Sequence, residues 1–167
     1  LPVILFTAQP DLSSAVEALR NGATDYLLKP LKPQAVIERA QAIIQAHGKQ
    51  MVGWEEVARS RLQPGTLVQQ WKSVPAGSSG IHNYQAAAAQ GARIIASPSG
   101  RAYLDMKYTA DSPLGLQWAG LVEVRDAYDW DPLSEYPALA EGDLAGVEGC
   151  LWSETLRSLA DAEYQAF

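Results

Sequence analysis

The stretch of residues 66–97 decides the fold, because the apolar runs "TLVQQW" (66–71) and "ARIIAS" (92–97) flank the segment "NYQAAAAQG" (83–91). The alanine-rich segment predicts a helix. The two short apolar runs, bounded by turn residues, predict strands. Short strands that alternate with helices indicate an α/β fold in which a mostly parallel sheet is covered by helices.

The same alternation continues on both sides of this stretch. Further strands are predicted at "PVILFT" (2–7), "DYLLKP" (25–30), "KQMVGW" (49–54) and "GVEGCLW" (146–152). Further helices are predicted at "LSSAVEALRNG" (12–22), which Asp11 can cap, at "PQAVIERAQAIIQAHG" (33–48) and at "SETLRSLADAEYQAF" (153–167). We expect the six strands to form one mostly parallel open sheet or partial barrel.

Composition excludes several classes of partner. The chain of 167 residues carries 13 basic and 19 acidic residues, and a net charge of -6 argues against binding a nucleic-acid backbone. No run is long enough to span a membrane, and "LPVILFTAQP" (1–10) is too short and lacks the basic flank of a signal peptide. The sequence therefore does not specify the cellular compartment of the protein. Because the chain begins without Met, directly in a strand-like run, we interpret it as a piece of a longer protein.

Neither the single cysteine nor the acidic residues predict a metal or another cofactor. Cys150 lies in an apolar run and is expected to be a buried thiol. Asp126, Asp129 and Asp131 have no histidine among them, which favours a solvated face over a metal site.

Two strand ends each place an aromatic residue and an acid two positions apart. They are Trp152 with Glu154 and Tyr103 with Asp105. Alternate side chains of an extended strand share a face, so each pair would point into the same space. An aromatic ring covers the apolar face of a sugar while a carboxylate accepts hydrogen bonds from hydroxyls. The alternative is that each aromatic belongs to the core and each acid to a solvated rim.

Aromatic residues stand at four predicted strand ends: Trp54, Trp71, Tyr103 and Trp152. Ligands of parallel sheets gather at the carboxyl ends of the strands, so these residues are expected to share one pocket. The long connection from residue 98 to 145 contains Trp118, Tyr128 and Trp130, and we interpret it as a folded wall of that pocket.

Residues 1 to about 46 resemble the C-terminal part of a response-regulator receiver domain, which implies flavodoxin-like βα units. The matching motifs are Thr7-Ala8, the segment "NGATDYLLKP" (21–30) and its Lys29-Pro30 pair. The resemblance implies that Thr7 is the switch hydroxyl, Tyr26 the switch aromatic and Lys29 the cation that meets a phosphoryl group. The phosphoacceptor Asp of that family would lie upstream of this segment, so we expect no phosphorelay function.

From about Gly48 onward the chain contains, in order, the motifs "GKQMVGWEEV", "TLVQQW", "ARIIASPSGRAYLDMKY", "GLQWAG", "YDWDP" and "GVEGCLWSE". In these motifs it resembles the family 20 glycoside hydrolases, the β-N-acetylhexosaminidases. The motifs cover strands five to eight of that family's (β/α)8 barrel, so the resemblance divides the chain into a receiver-like segment, 1–47, and a barrel segment, 48–167.

The second resemblance also implies roles in binding an N-acetylhexosamine. Trp54, Trp71 and Trp152 would wall the pocket for the acetamido methyl group, and Trp118 would lie near its mouth. Tyr103 would donate its hydroxyl to the acetamido carbonyl, while Asp105 and Glu154 would bind sugar hydroxyls.

The mechanism implied by the family is substrate-assisted retention, in which the substrate's acetamido oxygen attacks the anomeric carbon. A Glu protonates the leaving oxygen and a neighbouring Asp orients the acetamide. That pair ends strand four, which the chain does not contain, and Glu55-Glu56 does not match its position.

We therefore expect a sugar-recognising fragment or chimera that does not cleave by itself. The alternative is a non-enzymatic structural α/β chimera, and a signalling fragment is less favoured. Open sheet edges predict self-association.

Overall fold

The computed structural model describes residues 3–8, 11–74 and 82–166. The chain divides into two compact units, Leu1–Met51 and Val52–Phe167. Both units consist of short parallel strands connected through helical segments, which confirms the mostly parallel α/β fold.

The first unit is built from two strands and two helices in alternation. They are β1 (Ile4–Thr7), α1 (Leu12–Arg20), β2 (Asp25–Leu28) and α2 (Pro33–Ala46). The strands pair in parallel, with Ile4 opposite Asp25 and Thr7 opposite Leu28. The α1 helix begins where the carboxylate of Asp11 accepts the backbone N–H groups of Ser13 and Ser14, as predicted for an N-cap.

The second unit contains a four-stranded parallel sheet in the order β3-β4-β5-β6. The strands are β3 (Val52–Trp54), β4 (Leu67–Gln70), β5 (Arg93–Ala96) and β6 (Leu144–Val147). A 3₁₀ helix (Glu55–Arg59) follows β3, and α3 (Asn83–Ala88) lies between β4 and β5 in the chain. Val68, Ile94 and Ala96 are completely buried, so the centre of this sheet forms the core.

The prediction of one sheet is wrong, because the six strands form two sheets. Alternation along the chain specifies parallel strands, but apolar periodicity does not specify which strands exchange hydrogen bonds. Among the described residues no strand pairing closes the four-stranded sheet into a barrel.

The last strand also differs from its prediction. The apolar run 146–152 suggested a strand, whereas β6 begins earlier and ends at Val147. Its register against β5 shifts between Ile94 and Ile95, a local irregularity that apolar pattern does not reveal. The chain then continues beside β5, where the backbone N–H of Glu148 donates to the carbonyl of Ala96 (3.0 Å).

The connection from β5 to β6 is folded, as predicted. It contains α4 (Ser99–Ala102), α5 (Val124–Tyr128), α6 (Pro132–Glu135) and a 3₁₀ helix (Glu141–Asp143). The final helix, α7, spans Leu159–Ala166. Pro2 of the predicted first strand and Phe167 of the predicted last helix lie outside the described residues. Within the described ranges, no helix combines the length and apolar character needed to cross a bilayer.

Candidate functional site

One cavity of about 430 Å³ in the second unit brings together all seven residues that the sequence assigned to sugar binding. Its lining consists of Trp54, Trp71, Tyr103, Asp105, Trp118, Trp152 and Glu154. Trp54 is the last residue of β3 and Trp71 directly follows β4, so the cavity opens at the carboxyl end of the sheet.

Main-chain hydrogen bonds fix the second strand-end position. Trp54 of β3 is in register with Gln69 of β4, two positions before Trp71. The carbonyl of Trp71 accepts the backbone N–H of Ser99 (2.8 Å), which ties this strand end to the first turn of α4. The backbone that bears the indole of Trp71 is therefore fixed by the pairing of β4 with β3 and by the hydrogen bond from Ser99.

A short parallel bridge between Tyr103 and Cys150 holds the two aromatic–acid pairs side by side. The N–H of Leu104 donates to the carbonyl of Cys150 (2.8 Å), and the N–H of Cys150 donates to the carbonyl of Ala102 (3.2 Å). Tyr103 directly follows α4 and Asp105 lies in the turn after the bridge, rather than at the end of β5, and both line the cavity. Trp152 and Glu154 lie beyond the bridge rather than at the end of β6.

The aromatic side chains form a continuous wall. The indoles of Trp54 and Trp152 have ring centroids 6.0 Å apart, and Trp152 lies 6.3 Å from the ring of Tyr103. Trp118 makes edge-to-face contacts with Tyr103 at 5.8 Å and with Trp71 at 6.0 Å. Five rings in contact create an apolar surface that suits the C–H face of a sugar or a methyl group.

Asp105 is the buried acidic residue of this cavity. It is 1% exposed, and neither carboxylate oxygen has a hydrogen-bond partner among the described residues. Burial raises the pKa of Asp105 above its usual value, and the nearby charge of Glu154 adds to this, while the backbone N–H groups of Asp105 and Trp152, which lie near the carboxylate but outside hydrogen-bond geometry, oppose it only in part. A buried carboxylate without a hydrogen-bond partner costs free energy, and a ligand that donates hydrogen bonds to it would offset that cost.

Tyr103 supplies a protected hydroxyl beside that carboxylate. Burial raises its pKa to about 12, so the phenol keeps its proton at neutral pH and can donate it. Burial likewise raises the pKa of the Cys150 thiol to about 11, so the thiol is neutral and unreactive, as expected for a buried cysteine.

Only part of the long connection forms the cavity wall. Trp118 lines the cavity and is positioned by the neighbouring segment, in which the N–H of Leu116 donates to the carbonyl of Asp105 (2.7 Å). Tyr128 is 85% exposed, and the indole N–H of Trp130 donates to the carbonyl of Ala127 (2.9 Å). Of these three aromatics in the connection, Trp118 lines the cavity, whereas Tyr128 and Trp130 are not among its lining residues.

The three aspartates of this connection make structural contacts. Asp126 lies 3.8 Å from Arg101, Asp129 lies 3.1 Å from Arg125, and Asp131 caps α6. Among the residues that the structure describes, no three His, Cys, Asp or Glu side chains are grouped so that they could hold a metal ion.

Sequence reasoning missed Lys72, which does not line the cavity but contacts its wall residue Trp71. Its ammonium group pairs with Glu55 and lies 2.9 Å from Glu56 and 4.8 Å from the ring centroid of Trp71. The only signal in the sequence was a lysine directly after a strand-end tryptophan. Glu55 and Glu56, which follow β3, are thus partners of Lys72.

The three receiver-like residues belong to the first unit. Thr7 ends β1, Tyr26 lies in β2, and the backbone N–H of Lys29 donates to the carbonyl of Thr7 (2.6 Å). The structure thus places Thr7 at the end of β1 and Lys29 directly after β2, while the roles implied by the resemblance stay predictions.

Comparison with known proteins connects this cavity to a family of sugar-cleaving enzymes. The sequence model of the catalytic domain of glycosyl hydrolase family 20 matches residues 8–167. The chain therefore belongs to glycosyl hydrolase family 20. A beta-N-acetylhexosaminidase of Cellulomonas fimi is 44% identical over 124 residues, which cover 73% of this chain and 24% of the relative.

Solved structures give the same assignment for the fold. The family 20 beta-N-acetylhexosaminidase of Streptomyces coelicolor superposes with a TM-score of 0.72 at 44% identity, covering 80% of this chain and 27% of that one. A mutant beta-hexosaminidase of Streptomyces plicatus, solved in complex with its product GlcNAc, gives the same TM-score at 43% identity and the same coverage. The chain thus spans about a quarter of the length of these relatives and corresponds to an open part of their barrel.

Similarity to response regulators is shorter. The response regulator protein FleR of Pseudomonas aeruginosa is 39% identical over 67 residues, or 40% of the chain. The transcriptional regulatory protein ZraR of Escherichia coli is 49% identical over 45 residues, or 25%. Because the family 20 match already begins at residue 8, the two similarities overlap along the chain.

Proposed function

We propose that this chain carries the part of a β-N-acetylhexosaminidase that recognises a terminal β-linked N-acetylhexosamine, GlcNAc or GalNAc. The observation that supports this most is the carboxylate of Asp105, which is buried in a cavity walled by five aromatic rings and has no hydrogen-bond partner in the part of the chain that the structure describes. Such a carboxylate is costly unless a ligand satisfies it, and sugar hydroxyls are the donors that fit beside aromatic faces.

Each lining residue has a role in this proposal. Trp54, Trp71 and Trp152 enclose the acetamido methyl group, which loses contact with water when the sugar enters. Tyr103 donates its hydroxyl to the acetamido carbonyl, and its raised pKa keeps that proton available. Asp105 and Glu154 accept hydrogen bonds from ring hydroxyls, and Trp118, which is 56% exposed, covers the mouth.

We also propose that the 167-residue chain alone does not hydrolyse the glycosidic bond. The mechanism implied by the family needs a Glu as general acid and a neighbouring Asp that orients the acetamide. Glu55 is 3% exposed and paired with Lys72, and Glu56 also contacts Lys72, so both side chains are engaged in ion pairs with the same lysine.

The receiver-like segment, residues 1–47, is proposed to be of separate ancestry from the barrel segment, 48–167. This is supported by the division into units after Met51 and by the short matches to response regulators. In this proposal the segment supplies two βα units with a structural role and takes no part in a phosphorelay.

Ligand binding tests the recognition proposal. Tryptophan fluorescence and saturation-transfer NMR should show that the chain binds N-acetylglucosamine in preference to glucose. The expected affinity is on the order of millimolar, because association costs offset the few contacts that a monosaccharide makes. Glu154→Gln should weaken binding of both sugars, because both present the ring hydroxyls. An equal response to the two sugars, or none, would refute the proposal.

Turnover of an aryl β-N-acetylglucosaminide tests the second proposal separately. We expect no release of the aryl group between roughly pH 4 and 9, because acid–base help alone contributes about 100-fold to 10,000-fold. Turnover that is lost in Glu56→Gln but kept in Glu154→Gln would show that Glu56 is the acid and that the proposed inactivity is wrong.

A further inference from the structure

A cluster of three charged residues lies behind one wall of the cavity. Glu55 and Glu56 begin the 3₁₀ helix after β3, and Lys72 follows Trp71 at the end of β4. The ammonium group of Lys72 contacts the carboxylates of both glutamates. Because β3 and β4 are neighbouring parallel strands, their ends carry this cluster to the same edge of the sheet.

The cluster contacts the indole of Trp71 in two ways. The indole N–H donates to Oε1 of Glu56 (3.3 Å), and the Lys72 ammonium lies 4.8 Å from the ring centroid. The first contact restrains the rotation of the ring, and the second is a cation–π interaction with its face. Trp71 also meets Trp118 edge to face.

The members of the cluster differ in burial, so Glu55 and Glu56 have different functions in it. Glu55 is buried and gives Lys72 a fixed anchor, whereas the side chain of Glu56 is 44% exposed. Burial works to raise the pKa of Glu56, but hydrogen bonds and the charge of Lys72 lower it below its usual value. Glu56 therefore remains a charged acceptor for the indole at neutral pH.

We infer that Glu56 and Lys72 are positioning residues that hold the indole of Trp71 in place as a wall of the cavity. They do not touch the sugar, and they act on it only through the orientation of that ring. The inference rests on the proposed sugar recognition, since the ring is expected to pack on the acetamido methyl group. A small displacement of the ring would lower the preference for acetamido sugars more than the affinity for sugars in general.

Glu56 gives the sharper test, because an exposed member of an ion pair contributes little to stability. Glu56→Ala removes both the charge and the acceptor. Glu56→Gln removes the charge and keeps a carbonyl oxygen that can accept from the indole. Glu163→Ala, on the exposed face of α7, is the matched control. Lys72→Met is less informative, because it leaves the carboxylate of Glu55 buried without its ion-pair partner.

The first readout needs no ligand. In ¹H–¹⁵N spectra the indole N–H resonance of Trp71, assigned through Trp71→Phe, should move in Glu56→Ala and stay closer to its wild-type position in Glu56→Gln. Glu163→Ala should leave it unchanged. An indole resonance that does not move in Glu56→Ala would overturn the inference, whether or not the wild-type chain binds sugar.

The second readout is the ratio of affinities for N-acetylglucosamine and glucose. We expect this ratio to fall about threefold to tenfold in Glu56→Ala, the range of one lost hydrogen bond, and to recover in Glu56→Gln. If the resonance moves and the ratio does not change, Trp71 is restrained but its position does not set the preference, and the inference is overturned. If the wild-type chain shows no preference, the recognition proposal fails and the resonance alone decides whether the cluster restrains Trp71.

Discussion

The rings of Tyr103 and Trp152 lie with their centroids 6.3 Å apart, although the two residues are distant in the chain. The parallel bridge between Tyr103 and Cys150 produces this proximity. It places the segment that follows Tyr103 beside the segment that follows Cys150, and Asp105 of the first and Glu154 of the second line the same cavity.

Replacing Trp152 with alanine should abolish the preference for the acetamido sugar. Burial of apolar surface against the indole is expected to contribute about 1 to 2 kcal/mol to the binding free energy, which corresponds to roughly fivefold to thirtyfold in affinity. Saturation-transfer NMR with N-acetylglucosamine and glucose measures the change. Tyr128→Ala is the control, since Tyr128 is an exposed aromatic outside the cavity. Retention of the preference in Trp152→Ala would contradict the assigned role.

Removing the hydroxyl of Tyr103 should weaken the binding of N-acetylglucosamine but not that of glucose. Tyr103→Phe keeps the ring and loses one hydrogen bond, worth about 0.5 to 1.5 kcal/mol, so the affinity should fall roughly threefold to tenfold while glucose binding stays the same. The pKa of about 12 also predicts that the wild-type preference is constant from roughly pH 7 to 10, because the phenol stays protonated. A fall in preference over that range, or equal weakening of both sugars, would argue against a donor role.

Asp105→Asn should stabilise the empty protein and weaken sugar binding. The raised pKa means that the folded state favours the neutral carboxyl of Asp105. The stabilisation that the neutral form provides is fully present below the usual pKa of 3.8, and it is lost as pH rises through the folded-state pKa. At about pH 8 the variant should be more stable by roughly 1 to 3 kcal/mol in urea unfolding, and the difference should shrink towards about pH 4.

Asp161→Asn provides a control of opposite sign. The pKa of Asp161 is lowered by backbone hydrogen bonds from Arg157 and Ser158 at the start of α7. Its charged form therefore stabilises the folded state at neutral pH, and this contribution is lost as pH falls through the lowered pKa. The variant should be less stable than the wild type at about pH 8. A gain in stability for both asparagine variants would show that burial of Asp105 is not the cause.

Gly115→Ala should destabilise the segment between Asp105 and Trp118. Gly115 has φ +101°, and a Cβ there would lie 2.9 Å from the backbone nitrogen of Lys107 and 2.9 Å from Oε1 of Gln165. The positive φ and the contact with the backbone should cost about 1 to 3 kcal/mol in urea unfolding. Gly142→Ala is the matched control, because a Cβ at that position meets no atom within 4 Å. Equal stability of the two variants would contradict the prediction.

The edges of the four-stranded sheet should cause self-association. β3 and β6 lie at its edges, and they expose Val52 (53%) and Val147 (56%). Light scattering should show a mass that rises with concentration, and Val147→Lys should reduce the rise, since lysine on an edge strand opposes pairing. Val124→Lys, on the exposed face of α5, should have no such effect. A constant monomer mass for the wild type at high concentration would count against edge pairing.

The sequence by itself predicted the alternation of strands and helices and the seven residues of the cavity. The alternation is a local property, since apolar runs and caps such as Asp11 specify elements. The ends of the parallel strands β3 and β4 bring Trp54 and Trp71 to one edge of the sheet. The sugar-binding roles of the seven residues, Trp118 among them, are those that the resemblance to the family implies.

Tertiary structure decided what depends on pairing and burial across long sequence distances. Two sheets form instead of one, and β6 begins at Leu144, because strand pairing and register are set by backbone hydrogen bonds that apolar pattern does not encode. Packing also leaves Asp105 buried without a partner and brings Lys72 beside Trp71 and two glutamates. Burial and proximity set the charge, the pKa and the orientation of these groups, and neither can be read from residue type and spacing alone.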